Sequence, residues 1–396
     1  MQGKDIVITG LQPWDIEIGS NCKNIALEFS KNNRVLYVNA PLDRSTIKNK
    51  KIDERVAKRL RILNGEESCF EKINENLTVF YPKVILESIS KAPFLFLFRW
   101  LNKLNNRKFA KEINRAIHEL NFKNYLHFND SDMFRSYYMK EMLNSTTTIY
   151  YIRDNLIKNP YWKKHGQFLE PELITKSDVV VTNSLYYADY ASRYNKHAYM
   201  VGQGCDISQY DEDKNHIEIA EELKHLKNPI IGYVGFLSSR RLDINLVRMI
   251  AEIRPNWTIV LVGPEDDNFI SSDLHQFNNI IFTGSKPSDQ LPSFIKGFDV
   301  CINPQILNDA TIGNYPRKID EYLAMGKPTV ATLTKAMEYF SDYVYLAQKP
   351  EDYIQLIEIA LSENSLEKQI GRKKYAAQHS WENNVNAIYS SILKVK

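Results

Sequence analysis

The sequence predicts an α/β protein made of two doubly wound domains, and three observations lead there. The chain has 396 residues, too many for one ordinary core. Short apolar runs alternate with helical patterns along its whole length, the rhythm of βα units and a parallel sheet. Each run ends in polar residues, which places side chains at the carboxyl edge of a sheet, where such sheets bind ligands.

The elements follow in order. "DIVITG" is the first strand, and after the loop "LQPWDIEIGSN" a helix is expected from about Cys22 to Asn32. "RVLYVNAP" (34–41) has the composition of a strand buried on both faces. "NYLHFND" (124–130), "TTIYYIRD" (147–154) and "SDVVVTNS" (177–184) continue the series and bring Asp130, Asp154 and Ser184 to the edge. "MVGQGCDISQY" (200–210) and the polar run behind it mark a boundary. A second series then runs through "PIIGYVG", "TIVLVGP", "NIIFTG", "DVCINP", "PTVATL" and "YVYLAQ". Domains are therefore expected at 1–203 and 204–375, with 376–396 an amphipathic helix anchored by Trp381. No period of a repeat array is present.

Composition excludes several classes. Hydrophobic residues make up 43% and charged residues 25%, the balance of a soluble globular protein. The formal net charge of +3 and the lack of any binding module argue against nucleic acid. Cys22, Cys69, Cys205 and Cys301 are too dispersed for a zinc site or disulfide framework, which suits a reducing compartment. "MQGKD" leads directly into a strand without a signal-peptide pattern, and no apolar run approaches the ~20 residues of a membrane span. A cytoplasmic protein is expected, with any contact at the inner face of the plasma membrane peripheral.

The stretch most suggestive of chemistry is "NYPRKIDEYLAMGKPTVAT" (314–332). Pro316 suits the first helical position, with Asn314 or Tyr315 as cap. Ile319, Tyr322 and Leu323 have the spacing of a buried helical stripe, and Gly326 with Pro328 stops the helix. Lys318 and Glu321 then project from its first turns, where an ammonium suits a phosphate and a carboxylate suits a ribose diol. The plainer reading makes Arg317, Lys318 and Glu321 an exposed charge cluster.

Together with "GYVGFLSSRRLD" (232–243), "LVGPED", "FTGSKPSDQLPSFIKGFDVCINP", the "GQGCD" hinge and the late "SW", this stretch resembles the donor domain of the GT-B glycosyltransferases. The nearest are family 4-type and teichuronic-acid or glucuronosyltransferase-like members. The resemblance covers about 190 residues of the second half well. In the first half it rests on the "GLQPWD" loop and strand order. It implies two Rossmann-like domains facing a cleft, 1–203 binding the acceptor and 204–375 the donor, a C-terminal helix at 376–396 crossing back to the first, and a nucleotide-diphosphate sugar donor, uridine-linked by expectation.

Implied donor contacts are Gly235 with Arg240 and Arg241 at the diphosphate. Lys318 and the amides around Pro316 and Arg317 form a second positive wall. Glu321 takes the ribose, and Gly284 and Lys286 of "GSKP" lie at the base. Many retaining relatives carry a Glu eight positions before the ribose-binding Glu; here it is Gly313, and Asn314 and Tyr315 stand beside it. Retention is slightly favoured over inversion. No metal or other cofactor is expected. Asp154 is the candidate base, with an Asx cap or an Arg153 ion pair as its alternative, and His127 is the second catalytic candidate, read as a core or cleft histidine. "DSD" (130–132) reads as a helix cap rather than a metal motif.

"SKAPFLFLFRWLNKLNNRKFAK" (90–111) has the composition of an in-plane interfacial helix, with Phe94, Phe96, Phe98, Trp100 and Lys103 as membrane contacts. The basic run at 44–61 would supplement it on anionic lipid. The expected reaction is sugar transfer to a glycan or lipid-linked acceptor in bacterial surface polysaccharide or glycolipid synthesis. A nucleotide-sugar epimerase on the same fold, or a non-catalytic sugar-binding subunit, are the alternatives.

Overall fold

A computed structural model describes residues 1–16, 20–48, 53–212, 214–309 and 311–395. The chain divides into two compact units, Met1–Gly202 with Asn384–Lys396, and Gln203–Asn383.

The strands of the first unit are β1 (Asp5–Gly10), β2 (Arg34–Val38), β3 (Leu42–Asp43), β4 (Phe70–Lys72), β5 (Leu77–Phe80), β6 (Ile85–Leu86), β7 (Leu126–Asp130), β8 (Thr147–Ile152), β9 (Val179–Thr182) and β10 (Ala198–Met200). Eight of them form one sheet in the order β10-β9-β8-β7-β1-β2-β5-β4, while β3 pairs with β6 alone. All pairs in the large sheet are parallel except the edge pair β4–β5. Every residue of β1, β7, β8 and β9 is buried, as a sheet covered on both faces requires. The chain starts in the middle, builds outward through β2, then returns to β7 on the other side of β1. That reversal is the topological switch point.

The first helix is Asn21–Ser30, shorter than expected at its end, and Ser20 caps it by accepting the Lys23 amide at 3.2 Å. The aromatic run opens a helix at Leu95–Glu119 whose face is only partly the expected one. Phe94, Phe96 and Trp100 are 59%, 72% and 60% exposed, and Lys103 is exposed beside them. Phe98 is 0% exposed and is not a membrane contact. It stacks on His165 with ring centroids 4.0 Å apart and meets Phe134 edge-on at 4.9 Å. Helical geometry turns it away from Phe96 and Trp100 toward the sheet, with Asn102, Asn105 and Phe109.

The basic run at 44–61 is also not a free surface. Arg44 pairs with Glu87, Arg55 with Asp53, Lys58 with Glu71, Arg59 with Asp15, and Arg61 with Glu54 and Glu67. Residues 49–52 of the run lie outside the described residues. No described helix is long and apolar enough to cross a membrane.

The second unit contains β11 (Ile230–Val234), β12 (Thr258–Val262), β13 (Ile280–Gly284), β14 (Val300–Asn303), β15 (Thr329–Thr332) and β16 (Tyr345–Ala347). They form one parallel sheet in the order β13-β12-β11-β14-β15-β16, with its switch point between β11 and β14. Alternation along β11 feeds two cores: Ile230 and Val234 join Ile319, Tyr322 and Leu323, whereas Ile231 and Tyr233 join Leu246, Ile250 and Trp257.

The contrast within the aromatic run is measurable. Phe98→Ala should cost about 3–5 kcal/mol of stability, as truncation of a buried phenylalanine does. Phe96→Ala should stay within about 0.5 kcal/mol. Urea or thermal unfolding of both variants checks this; equal losses would contradict the described rotation of the helix.

Candidate functional site

The carboxyl ends of β11 and β12 come unusually close together. At Gly235, φ is +136°, and a Cβ there would lie 2.8 Å from Lys318 Nζ. At Gly263, φ is +147°, and a Cβ would sit 2.0 Å from the Gly235 carbonyl oxygen. Only glycine fits either place. The crossing is closed by the Gly235 amide donating to the Val262 carbonyl at 2.8 Å.

Across the switch point stands the helix Lys318–Ala324. It begins two residues later than expected: Arg317, not Asn314 or Tyr315, is its cap, and no side chain caps it. Tyr315 cannot do so because its ring is buried and its hydroxyl donates to Asp320 at 3.0 Å. That inward turn also removes Tyr315 from the expected ligand contacts. Pro316 is buried as well, its carbonyl accepting the Ile319 amide at 2.9 Å. The amides of Asp320 and Glu321 are taken by the Arg317 carbonyl, so the amide wall is smaller than expected. Asn314 remains half-buried, its amide donating to Thr311.

Lys318 and Glu321 share the outward side of this helix. Lys318 Nζ donates to the Tyr233 hydroxyl and lies 3.9 Å from the centre of that ring. Burial pushes its ammonium down to about 7, against the pull of Glu321 and with the push of Arg241. Burial likewise raises the Glu321 carboxyl, opposed by Arg317 and Lys318. Arg317 is 3.8 Å away, and the Tyr210 hydroxyl also favours the charged carboxylate. Arg240 and Arg241 are exposed, and neither pairs with a carboxylate among the described residues. The plainer reading of an exposed charge cluster does not hold, because Lys318 and Glu321 are largely buried and Asp320 lies wholly inside.

The other expected donor contacts differ in kind. Gly284 takes φ +69° with open space beside it. Lys286 is committed to Glu222 at 2.5 Å, so its charge is spent within the fold rather than offered to a ligand. Beneath the helix, Asp320 is fully buried between Tyr315 and His379, whose Nδ1 lies 2.6 Å from its carboxylate. Burial raises the Asp320 carboxyl, opposed by His379. The His379 carbonyl accepts the Cys205 amide at 2.8 Å, tying the "GQGCD" segment to the same point. Tyr322 accepts the Val234 amide at 2.8 Å and so holds the end of β11. Sequence reasoning missed Asp320, His379 and Tyr210; the sole signal was an acidic residue between two apolar neighbours of the stripe.

In the first unit, Asp154 lies just beyond β8, half-exposed, with Arg153 3.4 Å away. Arg153 is itself held by two bonds to the buried Asp130. His127 is a core residue rather than a reactive one. It is fully buried in β7, its Nε2 is 2.9 Å from Thr9 Oγ1, and burial pushes it down to about 4. Asp132 accepts the amides of Phe134 and Arg135 as a turn cap, and Arg135 Nε bonds it at 2.7 Å. Among the described residues no three His, Cys, Asp or Glu side chains cluster as metal ligands, and all four cysteines are buried thiols.

Residues 228–363 match the family model described as "Glycosyl transferases group 1". TuaH of Bacillus subtilis (strain 168), provisionally named a teichuronic acid biosynthesis glycosyltransferase, is 25% identical over 254 residues. That match spans 61% of this chain and 62% of TuaH, less than two thirds of the relative's length. The crystal structure of Anabaena HepE in complex with UDP superposes with a TM-score of 0.65 at 14% identity, covering 99% of this chain and 100% of that one. Sucrose-phosphate synthase from Thermosynechococcus elongatus gives 0.66 at 12% identity, with 100% of both chains covered. At such identities the likeness establishes the fold. The chain has the GT-B fold, and its residues 228–363 are similar in sequence to group 1 glycosyl transferases.

Removing a partner from the Asp320 network should be severe. Asp320→Ala leaves His379 Nδ1 and the Tyr315 hydroxyl buried with only each other, 3.5 Å apart, in place of the carboxylate, and should cost about 3–5 kcal/mol. Chemical denaturation of the variant, read by a probe in the second unit, tests this; a change under about 1 kcal/mol would contradict it.

Proposed function

We propose that the protein is a glycosyltransferase that moves a sugar from a nucleotide-diphosphate sugar, of the UDP class, to a glycan or lipid-linked acceptor. One observation carries the reading: Lys318, Glu321 and Gly235 converge at the switch point, with Arg241 close enough to act on the Lys318 ammonium and Arg240 beside it in the chain. Glu321 is read as the ribose contact. Lys318, Arg240 and Arg241 are read as the diphosphate contacts, with backbone admitted close by Gly235. The UDP in the HepE complex supports the choice of nucleotide.

In the reaction the bond from the sugar's C1 to the diphosphate oxygen breaks, and negative charge grows on the leaving group. Cations fixed beforehand stabilise that charge without reorganising. The bond from C1 to the acceptor oxygen forms, and the acceptor's proton leaves. In a retaining course, slightly favoured, the departing phosphate takes it; in an inverting course Asp154 does. Gly313 leaves the donor sugar without the carboxylate expected from retaining relatives, so Asn314 is the nearest group to replace it. The exposed Phe94, Phe96, Trp100 and Lys103 support a peripheral contact with a membrane bearing the acceptor.

Thermal unfolding with UDP, GDP, ADP and CMP tests the donor site. UDP should raise the midpoint selectively, and Glu321→Ala should abolish the rise. The ammonium of Lys318 is present below about pH 7 and lost above it. UDP affinity should therefore fall roughly tenfold between pH 6 and pH 8, one unit of proton equilibrium, and Lys318→Met should flatten the profile. No rise with any nucleotide would overturn the reading. Co-sedimentation with anionic vesicles should drop in a Phe96→Ser, Trp100→Ser double variant; unchanged binding would remove the membrane part.

A further inference from the structure

The second unit carries a cavity of about 490 Å³ that the donor chemistry does not use. Its walls are the segment just before β16, the edge strand of the parallel sheet, and the helix Leu366–Ala376. It therefore sits at the amino end of β16, whereas Gly235 and Lys318 stand at the carboxyl ends of β11 and β12.

Three features make it more than a gap in the packing. The first is Gly371, in the interior of the lining helix, where glycine weakens the helix. A Cβ there would meet only Tyr343 Cε1, at 3.6 Å, an ordinary contact. Packing has room for a side chain at 371, and its absence keeps the cavity open. The second is the facing wall, made of Tyr345 and of Tyr343, which stacks on Tyr375 with centroids 4.3 Å apart.

The third is the placement of charge. Arg372 lines the cavity and is 3% exposed. Its Nη1 donates to the Gly326 carbonyl and to Asn364 Oδ1, both at 2.8 Å, so one nitrogen is spent just past the helix Lys318–Ala324. Its Nε and Nη2 meet no carboxylate among the described residues. Burial pushes the guanidinium below the ordinary arginine value, opposed by Tyr345. Lys368, also in the lining, is cancelled by Glu363 at 2.5 Å. At the exposed rim the sign reverses: Asp342 and Glu367 pair with no cation among the described residues.

We propose that this cavity binds a small zwitterion carrying an aromatic ring, of the amino acid or dipeptide class. Its carboxylate meets Arg372, its ammonium meets Asp342 or Glu367, and its ring lies against Tyr343 and Tyr345. A buried guanidinium without a counter-charge gains a charge-assisted pair from the carboxylate. A diphosphate suits the place poorly, because its further negative charge would face two rim carboxylates. The site is independent of the donor reading.

Saturation-transfer NMR on the full chain tests this with L-phenylalanine and glycyl-phenylalanine, zwitterions of short and longer charge separation. The controls are 3-phenylpropionate, which lacks the ammonium, and phenethylamine, which lacks the carboxylate. At least one zwitterion should receive saturation. Phenethylamine should bind roughly tenfold more weakly, the loss of a buried charge-assisted pair, and 3-phenylpropionate about threefold more weakly, the scale of an exposed ion pair. Gly371→Leu should abolish the transfer by filling the cavity, while Arg372 keeps its hold on Gly326; the melting temperature verifies that the fold is kept. The double variant Asp342→Asn, Glu367→Gln should erase the preference for the zwitterion over 3-phenylpropionate. Saturating UDP should leave the transfer unchanged. No transfer to either zwitterion, equal transfer to both controls, transfer surviving in Gly371→Leu, or displacement by UDP would overturn the proposal.

Discussion

The second unit turns on one buried carboxylate. Asp320 faces the core from the first turn of a helix only seven residues long, and nothing in its length or caps would fix such a helix on its own. Its bonds to His379 and Tyr315 set the rotation of the helix. Once Asp320 points inward, Lys318 and Glu321, two residues before and one after, must point toward the sheet ends. The same contact draws in three distant segments, because His379 also receives the Cys205 amide and Tyr315 belongs to the loop after β14. A single buried, hydrogen-bonded carboxyl thus does for orientation what a long amphipathic face does elsewhere.

Given that rotation, the sheet supplies the rest. Parallel strands leave their carboxyl ends bare at a switch point, and Gly235 and Gly263 let backbone approach backbone there without side chains between. Into this space the fold puts one lysine whose charge is cheap to lose and easy to regain, held on the Tyr233 ring. An anion arriving there would restore the full ammonium.

Much of this was legible in the sequence, and the failures have a common cause. Strand identity followed from composition, and the stripe Ile319, Tyr322, Leu323 followed from spacing; all three are fully buried. What local pattern cannot carry is the identity of a partner far along the chain. Nothing around Lys286 announces Glu222, sixty-four residues earlier, as the partner of its side chain. Five basic residues between 44 and 61 read as a lipid-facing surface until their carboxylates appear at Glu87, Asp53, Glu71, Asp15 and Glu54. Tyr315 reads as a cap, but its hydroxyl finds a stronger acceptor inside. In "FLFLF" every position is apolar, so composition gives no phase; only the sheet decides that Phe98 goes in and Phe96 out.

The two units answer the same topological situation with opposite chemistry. In both, the chain reverses beside its first strand and leaves polar groups over the ends of the sheet. In the second unit those groups are cations and a glycine-lined approach, suited to a polyanion. In the first, the potential cations are neutralised where they stand: Arg153 by Asp130, Arg135 by Asp132. What remains is amides, hydroxyls, the carboxylates of Asp43 and Glu87, and aromatic rings. Edges so neutralised have little to offer a diphosphate. The two switch points thus differ in charge because of where each unit spends its arginines.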